Sequence, residues 1–170
     1  MPIQNLEPWL RGPKHLPNPV AAHMKRAADH IREDSAKALA PLSSAEIWAT
    51  PHGMASAGFH AKHLAGSTRR LTAYLAGRQL DEAELAESRV ESEGTESAAD
   101  LAQAIHAALD GYEELVLALP EAHFGEIREI GRKRIPVTAI SLAIHIAEHG
   151  QRHVGQLISA AKLAKVPNAG

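Results

Sequence analysis

Residues 138–164, TAISLAIHIAEHGQRHVGQLISAAKLA, decide the fold. No proline interrupts them, and Leu142, Ile146, Leu157 and Ala160 recur at the three- and four-residue spacing of one helical face. His145, His149 and His153 fall on that same side, at successive i+4 steps. The stretch therefore reads as one long amphipathic helix, from about Thr138 to Ala164, that carries a row of imidazoles toward the interior of the protein. Pro167 lies just beyond its end.

Working outward, three more long segments show the same periodicity. The first runs from about Pro19 to Ala40, with Val20, Met24, Ala27, Ile31, Ala38 and Leu39 as its stripe and Pro41 as its stop. A short turn follows at Ser43–Trp48, where Ser43 and Glu46 have capping-box spacing. The second long helix starts after Ser56 and ends at Gly77, with Phe59, His60, His63, Leu64, Leu71, Tyr74 and Leu75 inward. The third spans about Ser97 to Leu119, carrying Leu101, Ile105, Ala108, Tyr112, Leu115 and Leu119. Four amphipathic helices of similar length bury their stripes most simply as an all-α four-helix bundle, and the longer connections leave room for a non-sequential arrangement. The domain is expected over 19–165, after an irregular N-terminal arm (1–18) and before a short tail (166–170).

Between the helices, residues 81–100 carry eight carboxylates against one arginine, Arg89, and read as a solvated connection. Gly125–Pro136 reads as a polar loop with some extended structure. The chain's 170 residues suffice for one core, and an apolar fraction of 45% with only 4% aromatics favours helix over sheet. A formal net charge of −2 gives nucleic-acid binding no electrostatic support, so the cluster Arg132, Lys133, Arg134 reads as a solvated loop. No run approaches the length of a membrane span, and the N-terminal arm does not read as a signal peptide, so a cytoplasmic location is expected. There is no cysteine, hence no disulfide, thiolate ligand or thiol nucleophile.

Eleven histidines make isolated pairs weak evidence, but position carries weight. Two imidazoles four apart on a helix can converge on one ion. Three cannot, because His145 and His153 stand about 12 Å apart along the axis at 1.5 Å per residue. One adjacent pair must then be completed from another helix, and the second helix offers His60 and His63. Three protein ligands leave a coordination position open, as in catalytic sites. The competing reading is a set of core histidines, each bonded to its own polar partner.

His145-Ile146-Ala147-Glu148-His149 matches the H-x-x-E-H pattern of inverted zinc peptidases, but no residue from Gly150 to Gly170 supplies the further carboxylate ligand they use. No Glu-x-x-His occurs, which excludes a carboxylate-bridged di-iron bundle. No P-loop, dinucleotide fingerprint or nucleophile elbow is present.

The segment His149-Gly-Gln-Arg-His153-Val-Gly155-Gln156-Leu157 resembles the last-helix signature of the DinB/YfiT-like superfamily, H-x-x-x-H-x-G-Q. Gly58-Phe-His-Ala-Lys-His63-Leu-Ala-Gly-Ser is similar to that family's second-helix motif, and the likeness spans about Pro19 to Leu163. The resemblance implies a four-helix bundle with one metal on His63, His149 and His153, and three imidazoles suit a divalent transition metal such as zinc, nickel, iron or copper. His60 and His145 become pocket-lining candidates. Glu148 is a candidate to orient an imidazole, Gln156 to bond into the site, and Arg70 and Tyr74 to meet a polar or anionic substrate. It further implies a homodimer acting on a small molecule, as a metal-dependent thiol transferase using a low-molecular-weight thiol or as a hydrolase. The alternative is a non-catalytic metal- or ligand-binding bundle, stress-related or structural.

Overall fold

The computed structural model describes residues 6–11, 16 and 18–166. Six α-helices and one β-hairpin make up its regular structure, with short 3-10 turns between them. Helix α1 is Pro19–Leu39, α2 Ser44–Trp48, α3 Ala57–Leu75, α4 Glu82–Glu87, α5 Ala98–Ala118 and α6 Ala139–Leu163. The four long ones form the expected bundle. The expected tail over 166–170 lies, beyond Val166, outside the described residues, as do 1–5, 12–15 and 17 of the arm. The rest of the arm holds a 3-10 turn at Pro8–Leu10 that packs on α1, and Arg11 forms a two-pronged ion pair with Glu33.

The helices start where the chain supplies acceptors for their free N–H groups. Asn18 accepts from Ala21, Ser56 from Phe59 and Thr138 from Ser141. Ser43 and Ser97 form complete capping boxes with Glu46 and Asp100. At the far end of α3, Gly77 takes φ +81°, a left-handed value that closes the helix at little cost for glycine alone.

Both α1 and α3 pack against α5 and α6, so α1 faces α3 across one diagonal and α5 faces α6 across the other. The sequence order of the long helices is therefore not their order around the bundle. The connection through α2 crosses an end of it. Leu64, Leu75, Ile105, Leu109, Tyr112, Ile31, Ile146 and Leu157 fill the centre. Alanines and Gly150 line the seams; a Cβ at Gly150 would come within 2.6 Å of Ile31 Cδ1, so α1 and α6 touch closely at the level of His149.

The loop expected at Gly125–Pro136 is largely a hairpin. Strand β1 (Ile127–Ile130) pairs antiparallel with β2 (Ile135–Thr138), with Ile130 opposite Ile135. Arg132 and Arg134 sit in its exposed turn and pair with Glu82 and Glu129. Among the described residues, no helix is long and apolar enough to cross a membrane.

Candidate metal centre

Two helices build the site. His149 and His153 project from adjacent turns of α6, and His63 comes from α3, which packs along it. One ring nitrogen from each of the three lies within 4.8 Å of the others. The Nε2 atoms of His63 and His149 are 3.2 Å apart. The ring centroids of His63 and His149 each lie 4.5 Å from that of His153. Nitrogens bonded to one tetrahedral zinc at roughly 2.0–2.1 Å stand about 3.3–3.4 Å apart, so the closest approach already matches a shared ion.

His60 occupies the next position inward. It is buried, and its Nδ1 lies 3.3 Å from Nδ1 of His153. It lines the triad's inner side. Phe59 stacks on His63 at 5.5 Å with the planes 18° apart, and holds the ring from its other face.

The remaining α6 candidates are corrected by helical geometry. Each i+4 step turns a helix by about 40°. Moving back from buried His153, half-buried His149 stands at the margin of the packed face, and His145 has passed beyond it into solvent. Its ring still lies 5.7 Å from that of His149, so it flanks the site at the surface and does not face the core. Glu148 and Gln156 lie outside the same margin and are exposed; Glu148 borders a groove with Trp9 and His23 instead. Tyr74 is buried among apolar side chains, eleven residues and thus about 16 Å along α3 from His63, which removes it from the site.

Arg70 is near the site by another route. Its Nη1 donates to Glu91 Oε1 at 2.7 Å, and the other oxygen of Glu91 lies 2.6 Å from His63 Nδ1. Glu91 is only 4% exposed. The acidic stretch therefore is not merely solvated: it delivers one carboxylate into the protein beside the triad. Burial pushes Glu91 upward, but hydrogen bonds from His63 and Arg70 outweigh it and hold the group below the usual carboxylate range. The one sequence signal was Gly66, an isolated glycine inside a helical pattern, three residues after His63 and four before Arg70.

Burial, then the neighbouring histidines and arginines, push His149 and His153 down to about 4, and burial also lowers His60. In the metal-free protein these rings stay neutral where the unfolded chain would protonate them. The unfolded state then binds more protons between about pH 6.5 and pH 4, so stability falls as pH drops through that window. A thermal midpoint that declines from pH 6.5 to 4 is expected in the presence of chelator, and the decline should shrink in His149→Ala. A flat profile would contradict the burial of neutral rings.

The sequence model of the DinB superfamily matches residues 27–157 of this chain. No curated protein matches it.

Proposed function

The chain belongs to the DinB superfamily, and from that premise we propose that it is a metal-dependent enzyme acting on a small molecule, a thiol transferase or a hydrolase. The observation that supports this reading is the convergence of three imidazoles from two helices, with His63 Nε2 and His149 Nε2 3.2 Å apart. Three nitrogen donors suit zinc, nickel or iron. A divalent cation held there supplies Lewis acidity, which makes a nucleophile of water or a thiol near neutral pH.

This chain's own residues do the rest. His63, His149 and His153 are donors whose depressed basicity at two positions keeps lone pairs free at neutral pH. His60 walls the inner side of the triad, and Phe59 stacks on the ring of His63. His63 and His149 are half-buried, so the group is not sealed from solvent. Because the chain has no cysteine, any thiol must be a co-substrate. That requirement favours transfer from a low-molecular-weight thiol over a protein-bound thiol intermediate.

The test uses protein purified without a histidine tag, stripped and reloaded with one metal at a time. Conjugation of a low-molecular-weight thiol to an aryl halide, and hydrolysis of activated esters and amides, are measured against a His149→Ala control. A metal-dependent rate above the control in either assay supports the reading. Metal binding with no excess rate in any of them would favour the non-catalytic binding bundle.

A further inference from the structure

We propose that Glu91 is the positioning residue of the triad: held by Arg70 in a notch made by Gly66, it fixes the tautomer of His63 so that the Nε2 lone pair faces His149. The proposal rests on the metal reading for its purpose, though not for its geometry.

A neutral imidazole carries its proton on one nitrogen only. An ionised carboxylate accepts and cannot donate. Glu91 Oε2 at 2.6 Å therefore draws the proton of His63 to Nδ1 and leaves Nε2, 3.2 Å from His149 Nε2, as a bare acceptor. Arg70 holds the carboxylate in register, since its Nη1 donates to the second oxygen at 2.7 Å. His63 and Arg70 lie on one face of α3, with Gly66 between them. A Cβ at Gly66 would fall on Glu91 Oε1 and within 2.8 Å of Arg70 Nη1. The missing side chain is thus the opening through which the carboxylate reaches the ring, and it explains a glycine in mid-helix, where that residue is a poor helix former.

Arg70 makes the arrangement directional. A glutamine at position 91 has one acceptor and one donor group. Arg70 has only donors, so it would take the amide oxygen and turn the NH2 toward His63 Nδ1. The ring would then have to accept there and carry its proton on Nε2, where an ion is to bind. Glu91→Gln should thus be harmful for a reason that shape alone does not contain, and removing Arg70 should relieve it by freeing the amide to rotate.

Two measurements test this on the full-length protein. In metal-free protein at pH 7.5, nitrogen-15 spectra of labelled histidine should show His63 protonated at Nδ1. They should show it protonated at Nε2 in Glu91→Gln, and at Nδ1 again in Arg70→Met/Glu91→Gln. Zinc affinity, read by competition with a chromophoric chelator, should fall about 10- to 100-fold in Glu91→Gln and recover part of that loss in the double variant. Gly66→Ala, which alters no polar group, should lower zinc affinity as Glu91→Gln does. Unchanged tautomers across the variants would overturn the proposal even where zinc binds normally. If the wild type binds no metal but the tautomers shift as stated, the metal reading fails while the positioning role of Glu91 stands.

Discussion

Zinc added to the stripped protein at a hundred times its dissociation constant will stabilise the fold by about 2.7 kcal/mol, and His153→Ala will abolish that gain. For a domain of this size, the shift amounts to a rise on the order of 5–10 °C in thermal midpoint. The argument is one of linkage. An ion held by this group would bind only the folded state, where His63 of α3 meets His149 and His153 of α6, since the unfolded chain brings no such trio together. His153 is the innermost of the three, its ring 4.5 Å from both others, so its removal leaves two donors that form no other group of three among the described residues. His60→Ala should retain most of the shift, because His60 contacts His153 and is not in the group of three. Differential scanning fluorimetry with and without chelator reads all three proteins. A full zinc-induced shift in His153→Ala, or its loss only in His60→Ala, would assign the ligands differently.

The second large effect concerns Tyr112. It is the largest of the fully buried side chains, and its hydroxyl donates to the carbonyl of Ala143 at 2.8 Å, which ties α5 to α6 across the bundle. Truncation to alanine empties an aromatic-sized space at the centre and should cost about 3–5 kcal/mol. Phenylalanine fills the space and removes only the bond, so Tyr112→Phe should cost about 1–2 kcal/mol. Against a total stability of roughly 5–15 kcal/mol, the first variant will be marginal at physiological temperature and the second will fold well. Urea midpoints at constant slope measure both. Equal losses in the two would mean that the hydrogen bond, not the ring, anchors the core.

Most of the bundle was legible because helical periodicity is local. The stripe of α6, the caps at Ser43 and Ser56, and the stops at Pro41 and Gly77 are each written within a few residues of one another. The pair His149 and His153 is local in the same sense. Choosing His63 as its partner needed the family likeness, since spacing alone admits His60 as readily. The misplacement of His145 came from treating a row of i+4 steps as a straight line, when it winds about 40° per step and leaves the buried face after two. Glu91 was missed for the opposite reason: it lies 28 residues from His63, in a stretch whose other carboxylates make caps and surface ion pairs, and no periodicity links it to α3. The hairpin at 127–138 was read only as a loop with some extended structure, because its two strands span four residues each.

The diagonal placement of α1 and α3 has a consequence for biosynthesis. A chain leaving the ribosome presents these two helices first, yet they share no packed seam. Their apolar stripes must wait for residues 98–118 before either has a surface to settle on, and His63 waits longer still, until residue 153 has emerged, for the other two imidazoles of its group. Nascent chains arrested before α6 should therefore depend on chaperones and ignore zinc, and the acquisition of metal should mark the moment at which synthesis of the domain is complete.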